Sequence, residues 1–208
     1  MAIELSQEAF ERLDEQDDRL FYAFPRFTVH IDSRAIRIAG EIFARYLPVG
    51  GRLLDLMSSW RSHLPDTLTP AAVVGVGLNR LEMEDNPALT QIVVHDLNRA
   101  PHLELEDRTF DGAILTVSVQ YLTQPVALFA DTARVLRVGA PFVVLFSNRM
   151  FWDKAVRIWR ESSESRRIEL VKTYFEQTQC FERLEVVDRS EAAGFDPVYA
   201  VVGWRRNN

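Results

Sequence analysis

The chain has 208 residues, 47 % of them hydrophobic and 11 % aromatic, and 24 Lys and Arg against 30 Asp and Glu leave a formal net charge of −6. That length fits one domain better than two and permits a core burying about 70 % of the surface of the unfolded chain, which excludes extended disorder. The acidic balance disfavours a nucleic-acid partner gripped by its phosphates, and Cys180 alone excludes an intrachain disulfide or a multi-cysteine zinc site. Nothing between Met1 and Leu5 reads as a secretory leader, and no later apolar run approaches about 18 residues. A cytoplasmic monomer or homodimer without membrane contact is expected.

The opening stretch, Ser6 to Leu20, carries Phe10, Leu13 and Leu20 on a sparse apolar pattern and reads as an amphipathic appendage, with Pro25 as a break. From Ile31 to Leu47, Ile31, Ala35, Ile38, Ala39, Ile42, Phe43 and Tyr46 recur every three or four positions. This predicts a helix capped by Asp32 or Ser33 and stopped by Pro48 and Gly50-Gly51. Short apolar runs follow at 52–57, 72–77, 91–95, 111–119 and 141–146. Their continuous rather than alternating character marks buried strands of a parallel sheet covered on both faces, and the intervals between them predict crossover helices. The clearest helix among these is Pro125 to Leu136, with Gly139 just past its end. A helical region from Phe151 to about Gln177 breaks near Ser162-Ser163, and 181–187 and 198–204 read as two final strands.

Five strand–helix units and a strand pair predict an α/β fold. It is a doubly wound, Rossmann-like, mostly parallel sheet of seven strands with an antiparallel C-terminal strand. Residues 1–48 form an N-terminal helical cap and 49–208 the core of a single domain. Ligands bind such sheets at the carboxyl ends of the strands where the strand order reverses, so residues ending the first four strands matter most.

Particular segments resemble a family. Phe110-Asp111-Gly112-Ala113-Ile114, then Ser118 to Leu122, then Ala133-Arg134-Val135-Leu136-Arg137-Val138-Gly139 resemble the fourth strand and following helix of class I S-adenosylmethionine-dependent methyltransferases. Leu53-Leu54-Asp55-Leu56 is similar to that family's first strand. Within the family, Phe21 to Phe27, Val29 to Asp32 and Phe146 to Phe151 resemble a narrower uncharacterised group with a Ser-Ser-Trp turn. The resemblance implies S-adenosylmethionine as cofactor and a small-molecule methyl acceptor.

It also implies a site, and there the sequence departs from the pattern. Where the family has a glycine-rich turn after the first strand, this chain has Met57-Ser58-Ser59-Trp60-Arg61. Met57 meets a Cβ penalty where glycine permits positive φ, while Ser58 and Ser59 offer donors to an amino-acid carboxylate. Asp55 supports that turn or a ligand amine, or is held by local backbone amides. Gly77 stands where the family places a ribose-binding acid, with Leu78 beside it and Asn79 or Glu82 as substitutes; Asp96, followed by Leu97, falls near the adenine amino group. Ser118, Gln120 and Tyr121 follow the fourth strand, next to the methyl group, and Asn148 and Arg149 follow the fifth. Tyr22, Arg26 and His30 precede the sheet and form a lid or a packed surface, while Asp32 reads as a helix cap.

If the acceptor is a phenol or an amine, His30 or Tyr121 takes its proton; if it is a carboxylate, Arg149 or Arg26 places it. Trp60 reads foremost as packing and His63 equally as a loop residue. Arg157, Arg160, Arg166, Arg167 and Lys172, interleaved with Glu161, Glu164 and Glu169, read as a solvated face. No phosphate-loop, zinc-protease or nucleophile-elbow motif is present, and the four His residues lack metal-ligand spacing. Two readings follow: a methyltransferase, or a non-catalytic binding module that keeps the sheet and has lost the cofactor.

Overall fold

The computed structural model describes residue 3, residues 5–190 and residues 193–207; Met1, Ala2 and Glu4 of the opening stretch lie outside it. Its strands are β1 (Arg52–Leu56), β2 (Ala72–Gly77), β3 (Gln91–Val94), β4 (Gly112–Thr116), β5 (Pro141–Phe146), β6 (Phe181–Asp188) and β7 (Tyr199–Arg205). Its α-helices are α1 (Asp18–Phe21), α2 (Ser33–Tyr46), α3 (Arg80–Glu84), α4 (Pro125–Val135), α5 (Arg157–Arg160) and α6 (Glu164–Thr178). The strands form one sheet in the order β3-β2-β1-β4-β5-β7-β6. The first five pair in parallel, and β7 runs antiparallel to both of its neighbours. The chain moves outward from β1 to β3 and then returns to β4. That reversal opens a crevice above the carboxyl ends of β1 and β4.

The apolar runs are continuous because successive side chains serve opposite faces. Leu53, Val73, Ile114 and Val143 lie in one core with Ala35, Ile38, Ile42 and Phe43 of α2. Leu54, Val74, Ala113 and Val144 lie in the other, with Leu128 and Phe129 of α4 and Tyr174 and Phe175 of α6. Each fully buried side chain of this size contributes about 1.5–3 kcal/mol relative to staying in water. The helix starts follow their capping residues. Asp32 accepts from the Ala35 N–H at 2.8 Å to begin α2, and Ser163 accepts from the Arg166 N–H at 3.3 Å to begin α6 after the break.

Two parts of the expected pattern do not form. Ser6 to Leu20 is not an amphipathic helix but a 3-10 turn, Gln7–Phe10, and the single-turn α1, joined by irregular chain. Its apolar residues are too sparse to make a buried face, and Arg12 and Asp18 turn inward to pair at 2.8 Å. The crossovers are also thinner than expected. Only the 3-10 turn Asp66–Leu68 lies between β1 and β2, the five-residue α3 between β2 and β3, and no helix between β3 and β4. The β3–β4 loop is fastened by side chains instead: Arg134 donates to the Leu103 and Leu105 carbonyls at 2.7 and 2.8 Å, and Asp131 accepts from the Leu103 N–H at 2.6 Å. Arg134 thus gives the Arg-Val-Leu-Arg segment a structural task. No helix among the described residues is long and apolar enough to cross a membrane.

Candidate functional site

The carboxyl ends of β1 to β5, roofed by residues 12–31, enclose a cavity of about 300 Å³. On its β1 side the chain leaves the strand at Met57 with φ 52°, and on its β4 side at Val117 with φ 51°. Both are left-handed conformations that glycine adopts freely and that cost other residues about 1–3 kcal/mol, most for a β-branched valine. The turn shape that the absent glycines would favour is therefore adopted without them.

A hydrogen-bond network holds it. Asp55 is fully buried, and its Oδ2 accepts from the Ser58 and Ser62 hydroxyls at 2.7 and 2.6 Å. Burial pushes its carboxyl up to about 6, and the two hydroxyls only partly offset that. The Ser58 N–H bonds the Val76 carbonyl at 2.8 Å, drawing the turn across β2. Just past the end of α3, Asn86 donates to the Ser59 carbonyl at 2.8 Å and to Ser62 Oγ at 2.9 Å. The result explains Gly77: a Cβ there would stand 2.2 Å from the Ser58 carbonyl oxygen, so no acidic side chain fits. A carboxylate on the same wall, the buried Glu82, accepts from Ser59 Oγ at 2.6 Å and from the Arg26 N–H at 2.7 Å. Asn79 caps α3 through the Glu82 N–H at 3.1 Å and donates to the Tyr22 carbonyl at 2.8 Å. Trp60 Nε1 bonds the Thr28 carbonyl at 3.1 Å, so three side chains of this wall fasten the roof.

Further along, Asp96 accepts through Oδ1 from the Asn98 and Arg99 N–H groups at 3.0 and 3.2 Å. Its Oδ2 takes no hydrogen bond among the described residues. Leu78 and the buried Leu97 line the same wall.

The opposite wall is built differently. Thr116 Oγ1 and Ser118 Oγ, at the end of β4, are buried without a hydrogen-bond partner. The Tyr121 hydroxyl accepts from the Phe151 N–H at 2.8 Å; burial raises its pKa while that bond and Gln120 oppose the rise. Burial likewise pushes the Tyr22 phenol up. His30 packs edge-on against Phe151, with ring centroids 5.1 Å apart. Partial desolvation lowers its pKa, Glu82 opposes that, and Arg26 adds to it.

Of the residues singled out from the sequence, Tyr22, Arg26, His30, Asp55, Met57, Ser58, Ser59, Gly77, Leu78, Asn79, Asp96, Leu97, Ser118, Tyr121 and Arg149 all line this cavity. Gln120 and Asn148 do not. Gln120 is fully buried and donates to the Val117 and Arg149 carbonyls at 3.0 and 3.2 Å, which ties the β4 and β5 loops together. Asn148 points to solvent. Arg149 reaches the cavity but its Nε is bound to Asp196 at 2.7 Å.

Several wall residues went unread in the sequence: Ser62, Asn86, Arg12, Asp18 and Lys154. Lys154 is almost wholly buried, 3.1 Å from both Asp14 and Asp18, and Arg12 binds both Asp18 oxygens at 2.8 Å. One signal was available, since Lys154 is one of only two lysines in a chain otherwise supplied with arginine.

No family model matches the sequence, and a search of curated proteins finds no relative. Solved structures do match. The [4+2]-cyclase SpnF superposes with a TM-score of 0.62 at 16 % identity, covering 87 % of this chain and 88 % of its own. A SAM-dependent methyltransferase from Aquifex aeolicus gives 0.60 at 15 %, covering 83 % and 93 %. One from Thermotoga maritima, described as a possible histamine N-methyltransferase, gives 0.58 at 17 %, covering 84 % and 88 %. The chain has the class I S-adenosylmethionine-dependent methyltransferase fold. The likeness read in the Asp-Gly-Ala-Ile strand and the Arg-Val-Leu-Arg helix thus holds for the whole sheet, including the antiparallel β7. A methyltransferase fold does not by itself fix the chemistry, as the cyclase among these neighbours illustrates.

Proposed function

We propose that this protein is an S-adenosylmethionine-dependent methyltransferase acting on a small-molecule acceptor, in the cytoplasm. The observation that carries the reading is the pair of left-handed residues, Met57 and Val117, held on either side of the switch-point cavity. Strain of this kind persists only where surrounding structure enforces it, and it concentrates at ligand sites. The wall chemistry fits the cofactor. Asp96 offers its free Oδ2 to the adenine amino group. Glu82 has lone pairs left for ribose hydroxyls, since each oxygen takes one bond and can take a second. The Ser58 and Ser59 hydroxyls give their protons to Asp55 and Glu82, so toward the amino-acid end they are acceptors for its ammonium rather than donors to its carboxylate, while the unpartnered Ser118 and Thr116 hydroxyls are free for the acceptor side.

When bound, S-adenosylmethionine supplies a methyl group already activated by its sulfonium. The protein's task is then to hold the acceptor in line and keep water out, which orientation alone can convert into most of the rate. His30, neutral near pH 7 because its pKa is lowered, takes the proton of a phenol or an amine. Tyr121, its pKa raised and its oxygen engaged by Phe151, serves as a hydrogen-bond donor to the acceptor rather than as a base.

The test is formation of S-adenosylhomocysteine with panels of small phenols, amines and acids. Acceptor-dependent product is expected, with an acid limb below pH 6.5 and a loss of about a hundredfold in kcat for phenols or amines in His30→Ala. No acceptor-dependent product, or an acid limb that survives the substitution, contradicts the reading. The second reading, a binding module without transfer, is favoured by one feature: the Ser58 carbonyl closes the space beside Gly77.

A further inference from the structure

The charges around the cavity do not balance evenly. Arg12 pairs with Asp18 and Glu15, Lys154 with Asp18 and Asp14, Arg61 lies 3.3 Å from Asp85, and Arg149 binds Asp196. Among the described residues, Arg26 is the one cation lining the cavity with no carboxylate within 4.0 Å of its guanidinium. Glu82 meets only its backbone N–H.

The Arg26 guanidinium is instead held in place by aromatic faces. It sits 4.3 Å from the Phe21 ring centroid, 5.5 Å from Tyr22 and 5.6 Å from Phe151, and one nitrogen donates to the Phe21 carbonyl at 2.8 Å. Its Nη1 is buried without a partner. Cation–π contacts fix a guanidinium's position but leave its charge formally uncompensated. A partly desolvated cation of this kind is costly unless an anion arrives to pair with it. A bound sulfonium would add a second positive charge to the same space.

We propose that the acceptor half of the cavity takes a small carboxylate, gripped by Arg26, and that Arg26 is the residue that selects anionic over neutral acceptors. The proposal rests on the methyl-transfer reading only for the use to which the bound acid is put. The geometry favours a flat or short acid. Tyr22, Tyr121, Phe151 and Met150 line this half with aromatic and thioether surface that suits a flat or short body behind the carboxylate. Arg149 is the weaker candidate, because Asp196 already neutralises it.

The experiment is calorimetric titration of the full-length protein, with and without S-adenosylhomocysteine, using acetate, benzoate and 3-phenylpropionate, each matched with its own amide. At least one acid is expected to bind about tenfold or more tightly than its amide. That preference should vanish in Arg26→Gln and persist in part in Arg26→Lys, with circular dichroism confirming that both variants fold. Equal affinities within every pair, no saturable binding of any acid, or a preference that survives Arg26→Gln overturns the proposal. The S-adenosylhomocysteine titration separates the two claims. Cofactor binding without acid preference removes the anion subsite alone, whereas Arg26-dependent acid binding without cofactor binding removes the methyl-transfer reading and leaves the subsite standing.

Discussion

The two walls of the cavity solve the same problem by different means. The wall from β1 to β3 is a covalently local turn locked by hydroxyl and amide bonds: Asp55 to Ser58 and Ser62, Asn86 to Ser59 and Ser62, and Glu82 to Ser59. The wall from β4, β5 and the roof is assembled from distant segments through buried charges and aromatic rings, with Lys154 spanning to Asp14 and Asp18. A strained turn thus stands in for glycines where its own side chains hold it. A lid made of sparse polar chain instead needs buried ion pairs to keep its place.

The largest effect should come from breaking the second wall. Asp18→Ala leaves the buried Lys154 with Asp14 and the buried Arg12 with only the exposed Glu15 at 3.7 Å, and removing one partner from such a cluster costs about 3–5 kcal/mol. Denaturant unfolding should show that loss; a loss under about 1 kcal/mol would mean that water already reaches the cluster. Next comes Gly77→Ala, whose Cβ collides with backbone rather than with a flexible side chain. It should destabilise by about 1–3 kcal/mol and displace the turn, read as a lowered Tm and weakened cofactor binding.

The first wall also has a pH signature. Asp55 titrates near 6 in the folded protein against 3.8 in the unfolded chain, so the folded state holds the extra proton between those values. Its contribution to stability is therefore present below about pH 4 and is lost as pH rises through about 6, at most about 3 kcal/mol. The lowered carboxyls of Asp18 and Asp131 act in the opposite sense and only at lower pH. His30 and His63, whose pKa values burial lowers, act in the opposite sense within the same window, so Asp55→Asn, which keeps an acceptor for both serines, should remove the falling component between pH 4 and 7 and leave unfolding free energy level or rising with pH. A decline of unchanged size in the variant would assign it elsewhere. The smallest effect belongs to Met57→Gly. Relief of the left-handed strain, about 1 kcal/mol, is offset by losing a half-buried side chain, so the net change should stay within about 1 kcal/mol, while Met57→Val should cost more.

Much of the frame was legible because it depends on local patterns. Ala72–Gly77 and Pro141–Phe146 emerge with the expected limits, and Asp32 caps α2 as its position suggests. The thin crossovers were not legible, because the β3–β4 loop replaces a helix with long-range bonds from Arg134 that no local period records. Cavity-lining positions at strand ends were also readable, since topology places them. Gln120 and Asn148 failed because one rotation about a loop decides whether such a side chain faces the site or a neighbouring carbonyl. Gly77 was read as a missing acid; the reason for its absence, the Ser58 carbonyl lying over it, required three dimensions.

Calorimetric titration of S-adenosylmethionine and S-adenosylhomocysteine into the protein and into Asp96→Ala tests the proposal that a turn without glycines seats the cofactor. The account predicts binding in the micromolar range, about −8 kcal/mol, weakened about tenfold or more by the substitution. No heat of binding up to about millimolar ligand, a level equivalent to about −4 kcal/mol, or equal affinity in Asp96→Ala, would contradict it.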